Sequence, residues 1–526
     1  MEGLTARISR HGLPLAILVS LFLFGALQSL GLPGIYMDAA NPDYLAAQLL
    51  HPDIQNPSNR LPDWGWPLLG GLYHGAQTTY LALLSFWLWG VSLESLRLGH
   101  LFIGLAVVVT FYAVSVRMTG SRAAAFTVGA ALACEIALLS SLRTQFYIVL
   151  SGVPWLLMAL YFIWPTQRRA WMAGVCLGLS IYAYFVFAFF LPVFVAALAL
   201  TTSGRAVLLR FILGLSIGGG LYFLGYLALF SELGGWTEGV TYIKNAIGGL
   251  DPLASTLSVA DRVANAWRNL SLALTGTGNE LMIFHEPVAS ASPLWMGLKR
   301  LVFAGSVITT IWLARGATTS LANAARWLLA LGLTYFMVSA SLGNRLWIHH
   351  ASVYLPLAYL LISLSLAWVL QWLNRVTSLE SMFSPRFVAL LLATVFVGGN
   401  TVQQRSFFEQ LDRTGGLDRF SGAATRFALE RLAHGPNQRV IFLDWGFLAG
   451  FVVNTQNRVP FSTELSLEQV QAALNSGHPV HIVAWKLETL SALQLVSKGT
   501  TIAYPSRNGA TAFYVLSLFA PKTQAP

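Results

Sequence analysis

The chain has 526 residues, of which 55% are hydrophobic, 13% aromatic and only 10% charged. Soluble domains run near a quarter charged, so the composition excludes an ordinary soluble protein and points to the bilayer. The formal charge of +10 would suit a nucleic-acid partner, but the lysines and arginines stand singly between apolar runs with no basic stripe. A positive-inside bias accounts for them, and nucleic acid is set aside as a partner.

Arg7, Arg10 and His11 precede an apolar run from Leu13 to Leu32. Its length of about twenty residues, without an A-x-A cleavage site, predicts a retained first helix rather than a cleaved signal. Then comes Gly34–Tyr44, with two carboxylates, Asp38 and Asp43, close to the membrane end of the segment. Charges at that depth are costly unless they do work or meet partners. The next residues carry His51, Asp53, Asp63, Trp64, Trp66, Tyr73 and His74 among several prolines. They predict a structured lid over a site at the membrane surface.

Further apolar segments long enough to span lie near 98–116, 123–141, 146–164, 208–230, 300–314, 324–342, 351–373 and 386–402. Cys134 and Cys176 fall inside apolar stretches and read as small packing residues. Residues 77–93 are apolar but short. Residues 171–201 are too long for one span and are punctuated by Gly174, Gly178 and Pro192. Placing Arg117 with Arg122, Arg168 with Arg169, Arg205 with Arg210, Arg315 with Arg326 and Arg375 with Arg386 on the cytoplasmic side decides both cases. With a cytoplasmic N-terminus, 77–93 does not cross and 171–201 crosses twice, which predicts about eleven transmembrane helices. Gly214-x-x-x-Gly218 is a weak signal for close helix packing.

That topology gathers the first loop (33–97), the turn at Arg143, a second long loop (231–293) and the turn with Arg345, His349 and His350 on the outer side. Carboxylates and histidines therefore collect on one face, although neither set the topology. From about Gln403 charges become frequent. Helical stretches Asp418–Ala433, Ser466–Leu474 and Glu488–Ser497 alternate with apolar runs Arg439–Asp444, Val480–Trp485, Thr501–Tyr504 and Ala512–Leu518, which read as strands. The expected fold class is thus a polytopic α-helical membrane domain over 1–402, followed by a small α/β domain over 403–526 on the periplasmic side. No glycine-rich phosphate loop or Cys/His metal spacing occurs in that C-terminal part.

Four stretches carry a resemblance. The sequence at Leu93–Arg122 resembles the segment after the first external loop of GT-C glycosyltransferases, above all the branch of protein O-mannosyltransferases and lipid A aminoarabinose transferases. Acidic Asp38–Tyr44, Ser140–Arg143 at a later outer turn, and His349–Leu357 agree in order with that family. Two features depart from it. The first-loop acids are five apart rather than an adjacent Asp-Glu, and Gln145 stands near the place of an acidic residue. The resemblance implies a GT-C-like fold and transfer of a sugar from a polyprenyl-phosphate-linked donor. The acceptor would be an envelope glycolipid or polysaccharide, another lipid or a protein, at the periplasmic face of a bacterial inner membrane.

Such chemistry needs a base for the acceptor hydroxyl and positive charge for the departing phosphate. Asp38 is the expected base and Asp43 the second catalytic candidate. The plain alternative is that Asp38 caps a turn and Asp43 pairs with an arginine. Arg143, Arg345, His349 and His350 are expected at the donor phosphate, against an interfacial-anchor alternative for each. Adjacent histidines in an extended turn point apart, so at most one is expected to be a ligand. A divalent metal ion held by Asp38 and His350 is a further expectation. Lys244, His285 and Glu286 in the second loop are weaker candidates. Two competing classes stand beside the enzyme: a transporter or lipid flippase, with charges lining a path through the bundle, and a non-catalytic scaffold on the same fold.

Overall fold

A computed structural model describes residues 2–166, 168–199, 204–248, 257–288, 292–316, 319–376, 384–493 and 495–519. Among these described residues, seven helices are long and apolar enough to cross a membrane: Leu93–Thr119, Phe146–Ile163, Arg205–Glu232, Pro293–Arg315, Ser320–Leu342, Ile348–Arg375 and Pro385–Thr414. Shorter apolar helices at His11–Ala26, Arg122–Ala133, Ala170–Ala183 and Phe185–Ala199 coincide with the remaining expected segments. Local chemistry sets several ends. Ser92 caps Leu93–Thr119 by accepting the Ser95 amide at 3.1 Å, and Gly120 closes the helix at φ 69°. Pro293 and Pro385 each stand in the first turn of a helix, where no amide is missed.

Two expected segments resolve as anticipated in shape. The helix Gln77–Trp89 has 13 residues, about 20 Å of rise, short of the ~30 Å hydrocarbon core. Residues 171–201 break at Tyr184, whose backbone is extended (φ −158°, ψ 134°), between Ala170–Ala183 and a 3-10 stretch leading into Leu191–Ala199. The break is held by the Phe185 amide donating to the Tyr73 carbonyl at 2.9 Å. The Gly214/Gly218 signal is a true close approach. A Cβ at Gly214 would run into the Trp171 carbonyl, and one at Gly218 into that of Val175.

Both long loops are more ordered than their composition indicates. The first contains a helix Tyr44–Leu50 and a small antiparallel hairpin, β1 (Leu69–Gly71) and β2 (His74–Gly75). The second is largely helical, with Trp236–Gly248, Val259–Thr275 and Thr277–Phe284.

The C-terminal part holds a five-stranded sheet in the order β4-β3-β5-β7-β6. Its strands are β3 (Arg439–Phe442), β4 (Phe461–Ser462), β5 (Val480–Ala484), β6 (Thr500–Pro505) and β7 (Thr511–Leu518). β3 pairs parallel with both β4 and β5, while β7 is antiparallel to β5 and β6. Two-residue alternation divides the side chains. Ile441, Ile482, Leu516 and Leu518 pack beneath Val470 and Leu490, whereas Val440, Phe442, Val483 and Phe513 join the core continuous with the helical bundle. The four expected strands are present. The short β4 and the helix Leu448–Asn454 were not foreseen, and the helix expected from Asp418 starts at Gly422, after a 3-10 turn with Asp418 at φ 43°. The sheet is tied to the first loop. The Gly34 amide donates to Phe420 O at 2.7 Å, Asn457 donates to His51 O at 2.7 Å, and Asn56 accepts the Phe461 amide at 3.0 Å.

Candidate active site

Well past the end of the first helix at Ala26, Tyr36 has extended backbone, and the chain then turns through the 3-10 segment Met37–Ala39. This puts Asp38 at the junction of the first loop, the helical bundle and the C-terminal sheet. Its side chain is largely buried but makes no hydrogen bond or ion pair among the described residues. Burial pushes the carboxyl up to about 6, against a smaller downward pull from Arg419. Arg419 donates to the Tyr36 hydroxyl at 3.2 Å. That phenol is pushed up to about 12, first by burial and then by the negative charge of Asp38. An unpartnered carboxylate poised near neutrality suits proton abstraction.

Asp43 behaves differently. It is fully buried, and its Oδ2 meets His100 Nε2 at 2.8 Å, while His100 Nδ1 faces the Leu142 carbonyl at 3.2 Å. Both ring nitrogens thus face oxygen atoms. The imidazole also stacks on Tyr147, with centroids 3.7 Å apart. Oδ1 of Asp43 has no partner of good geometry. Asp43 therefore pairs with a histidine, not with the arginine expected of the plain alternative.

Tyr184, delivered by the helix break, links the distant parts of the chain. Its hydroxyl meets His350 Nε2 at 3.0 Å, and its ring stacks on His74 with centroids 5.8 Å apart. Asp38 lies within electrostatic reach of both the Tyr184 and Tyr147 hydroxyls. His349 and His350 occupy a 3-10 turn, Ile348–Val353, rather than an extended one. Their rings lie 3.9 Å apart instead of diverging. His350 Nδ1 faces the Trp347 carbonyl at 3.2 Å, so it donates there and Nε2 accepts from Tyr184. His349 Nδ1 meets Gln145 Nε2 at 3.2 Å, which leaves its Nε2–H free. Gln145, the departure from the family pattern, thus orients a histidine.

Arg143 has another task than the expected one. Its guanidinium is buried and donates to the carbonyls of Ser29 and Leu32, each at 2.7 Å, of Ala26 at 3.1 Å, and of Gln28. Those carbonyls belong to the end of the first helix and the turn that follows it, and the four terminal N–H bonds are used on them. No fork remains for a phosphate. Arg97 does the same nearby, donating to Leu30 O at 2.5 Å and to Pro33 O. Arg345 is exposed at the lip of the histidine turn. Lys244 and Glu286 are exposed and apart from this cluster, and His285 pairs with Asp418 at 3.1 Å on the surface.

Sequence reasoning missed Arg97, His100, Tyr147 and Tyr184. The first two had a usable signal: ionisable residues three apart in an otherwise apolar helix demand partners. The joint metal site expected of Asp38 and His350 does not fit the residues present. Among the described residues no group of three or more His, Cys, Asp or Glu is gathered for a metal ion, and the His350 nitrogens are engaged elsewhere.

Beside the histidine turn, a cavity of about 1230 Å³ runs between the helices Val259–Thr275, Pro293–Arg315, Ser320–Leu342 and Tyr354–Val376. Leucines, valines, isoleucines and phenylalanines dominate its wall, with Lys299, Arg300, Thr275 and Tyr359 among the few polar residues. Tyr354 lines both this cavity and the crevice that contains His350. Lys299 donates to Glu135 and to Gln403, each at 2.7 Å, so one ammonium N–H stays unassigned.

No protein-family model matches the chain, and no curated protein matches it by sequence. Solved structures do. ArnT from Cupriavidus metallidurans bound to undecaprenyl phosphate superposes with a TM-score of 0.58 at 12% identity, covering 99% of both chains. Its apo state gives 0.57 at 12% identity over 97% of this chain and 98% of that one. The oligosaccharyltransferase of Archaeoglobus fulgidus, in complex with zinc and sulfate, gives 0.51 at 14% identity over 85% of this chain and 61% of its own. The chain has the GT-C fold. Within this fold, Asp38 and His350 are both brought toward Tyr184, whose hydroxyl meets His350 Nε2 at 3.0 Å. Arg143 is spent on backbone carbonyls.

Proposed function

We propose that the protein is a glycosyltransferase that moves a sugar from a polyprenyl-phosphate carrier to an envelope acceptor at the periplasmic face of a bacterial inner membrane. Its N-terminus is cytoplasmic, and residues 403–526 are periplasmic. One observation carries this reading: an apolar cavity of about 1230 Å³ connects, through Tyr354, His350 and Tyr184, with a carboxylate that has no partner among the described residues. The undecaprenyl phosphate held by ArnT supports the carrier class.

In this mechanism the isoprenoid lies in the cavity and its sugar phosphate reaches toward the histidine turn. Asp38 takes the proton of the acceptor hydroxyl as that oxygen bonds to the anomeric carbon. The bond from the anomeric carbon to the phosphate oxygen breaks, and polyprenyl phosphate departs with the electron pair. Arg345, the His349 Nε2–H and the remaining Lys299 N–H are the donors available to the leaving phosphate. Asp43 with His100, and Gln145 with His349, fix the surrounding groups in place.

The test is reconstitution in proteoliposomes with polyprenyl-phosphate sugars, together with mass spectrometry of envelope glycans from cells with and without the protein. Transfer that disappears in Asp38→Asn, with folding intact, is the expected result. An unchanged envelope glycan profile on deletion, with no donor turnover in liposomes, would overturn the proposal.

A further inference from the structure

The C-terminal sheet has a topological switch point, and it opens beside Asp38. From β3 the chain passes through the helix Leu448–Asn454 to β4 on one side, then through Leu467–Asn475 to β5 on the other. β3 and β5 are parallel neighbours, so the crevice beyond their carboxyl ends is where open α/β sheets receive ligands. Asp444 and Trp445 follow β3 there, and Trp485 follows β5. The Trp485 amide donates to Asp444 Oδ2 at 2.7 Å, and its indole N–H donates to the Trp445 carbonyl at 2.9 Å. Trp485 stacks on Phe447 with centroids 3.8 Å apart, so its position is fixed.

Trp445 is 56% exposed, with its ring open to solvent in an otherwise constructed corner. Its edge meets Tyr36 at 5.2 Å, and Arg419 lies over the other region of that Tyr36 ring at 5.5 Å. The contact needs Gly446, at φ 117°, because a Cβ there would stand 2.8 Å from Tyr36 Cε2. The ridge therefore combines an open aromatic face, a carboxylate with one oxygen uncommitted and a guanidinium. These are the groups that hold a pyranose, the ring by its C–H face and the hydroxyls by charged hydrogen-bonding groups. Tyr36 is two residues from Asp38.

We infer that Trp445, Asp444 and Arg419 form the acceptor site, and that the acceptor is a saccharide carried on a membrane glycolipid, seated with one hydroxyl toward Asp38. This rests on the transferase reading for its purpose but not for its test. Full-length protein in nanodiscs is titrated with a panel of soluble disaccharides (chitobiose, cellobiose, maltose), and separately the nanodiscs are doped with glycosyl diacylglycerol. Binding is read by saturation-transfer NMR and Trp fluorescence. Saccharide binding that is about tenfold weaker in Trp445→Ala and in Arg419→Ala, but unchanged in a Lys498→Ala variant at an exposed position away from the ridge, is expected, and the lipid-borne sugar should bind more tightly than the soluble one. Trp445→Phe should restore most of the binding. Absence of binding by any member in either arm, or equal binding by wild type and Trp445→Ala, overturns the site. Equal affinity for soluble and lipid-borne sugar overturns the glycolipid assignment. If saccharide binds through Trp445 while no polyprenyl-phosphate sugar turns over, the transferase reading falls and the site stands.

Discussion

Replacing Asp38 by Asn should make the protein more stable and inactive at once. Burial without a partner raises this carboxyl from 3.8 to about 6, which corresponds to about 3 kcal/mol of penalty on its charged form. The proton count gives the direction. Between these two values the folded state binds more protons than the unfolded one, so stability falls as the pH rises through that window. Below about pH 4 both states are neutral and the penalty vanishes; above about pH 6 it is fully present. Asp38→Asn removes the charge at nearly constant volume. It should match wild type near pH 4 and exceed it by about 1–3 kcal/mol near pH 7, the lower end allowing for relaxation and the pull of Arg419. Differential scanning fluorimetry of both proteins in nanodiscs across this pH range measures the gap. Wild-type transfer should meanwhile rise with pH through about 6 and level off, as expected for a base that must be ionised. A variant that is less stable than wild type near pH 7, or that retains turnover, would refute the assignment of Asp38 as a strained, unpaired base.

Three other perturbations separate structure from chemistry. His100→Ala leaves the buried Asp43 carboxylate without its partner at 2.8 Å and should cost about 3–5 kcal/mol, seen as lost folded yield in size-exclusion profiles. Arg143→Lys keeps a cation but supplies three N–H donors for four carbonyls. It should lower thermal stability by about 1–3 kcal/mol while leaving the KM for donor lipid unchanged; a raised donor KM at unchanged stability would return Arg143 to the phosphate. Gly214→Val inserts a side chain where the Trp171 carbonyl sits. It should part the helices Ala170–Ala183 and Gly204–Glu232 and destabilise by more than about 3 kcal/mol, measurable as a fall in apparent Tm.

How much was legible in the sequence follows from the kind of signal each element leaves. Apolar length writes itself directly into composition, so the helical segments and even the split at 171–201 could be read. Period-two strands such as Val480–Ala484 were equally plain. The two-residue strand β4 leaves too short a pattern to detect. The helix Leu448–Asn454 is buried throughout and therefore lacks an amphipathic stripe. Asp38 was legible because a carboxylate at a membrane boundary is costly. Its isolation was not, since three of the groups that feel or offset its charge, Tyr184, Tyr147 and Arg419, lie more than a hundred residues away. Arg143 shows the converse: its position in the chain suggested a phosphate ligand, but the carbonyls it satisfies belong to a helix end whose location no local pattern discloses.

The ionisable groups in and near the bundle fall into closed sets and one open set. Asp43 is matched by His100. Arg97 and Arg143 are matched by carbonyls of the chain between the first helix and the first loop. Glu135, fully buried, receives Lys299 at 2.7 Å and the Tyr359 hydroxyl at 2.5 Å, with Gln403 completing the ammonium. A carboxylate so closely neutralised by a local ammonium offers no successive steps for an ion, and it weighs against a charged path through the bundle of the kind a transporter needs. Asp38 lies outside these sets, with no hydrogen bond or ion pair among the described residues, and single N–H groups on His349 and Lys299 are unassigned. Since a charge held away from water is kept only where it is satisfied or used, the lack of a partner, more than the presence of charge, singles out Asp38.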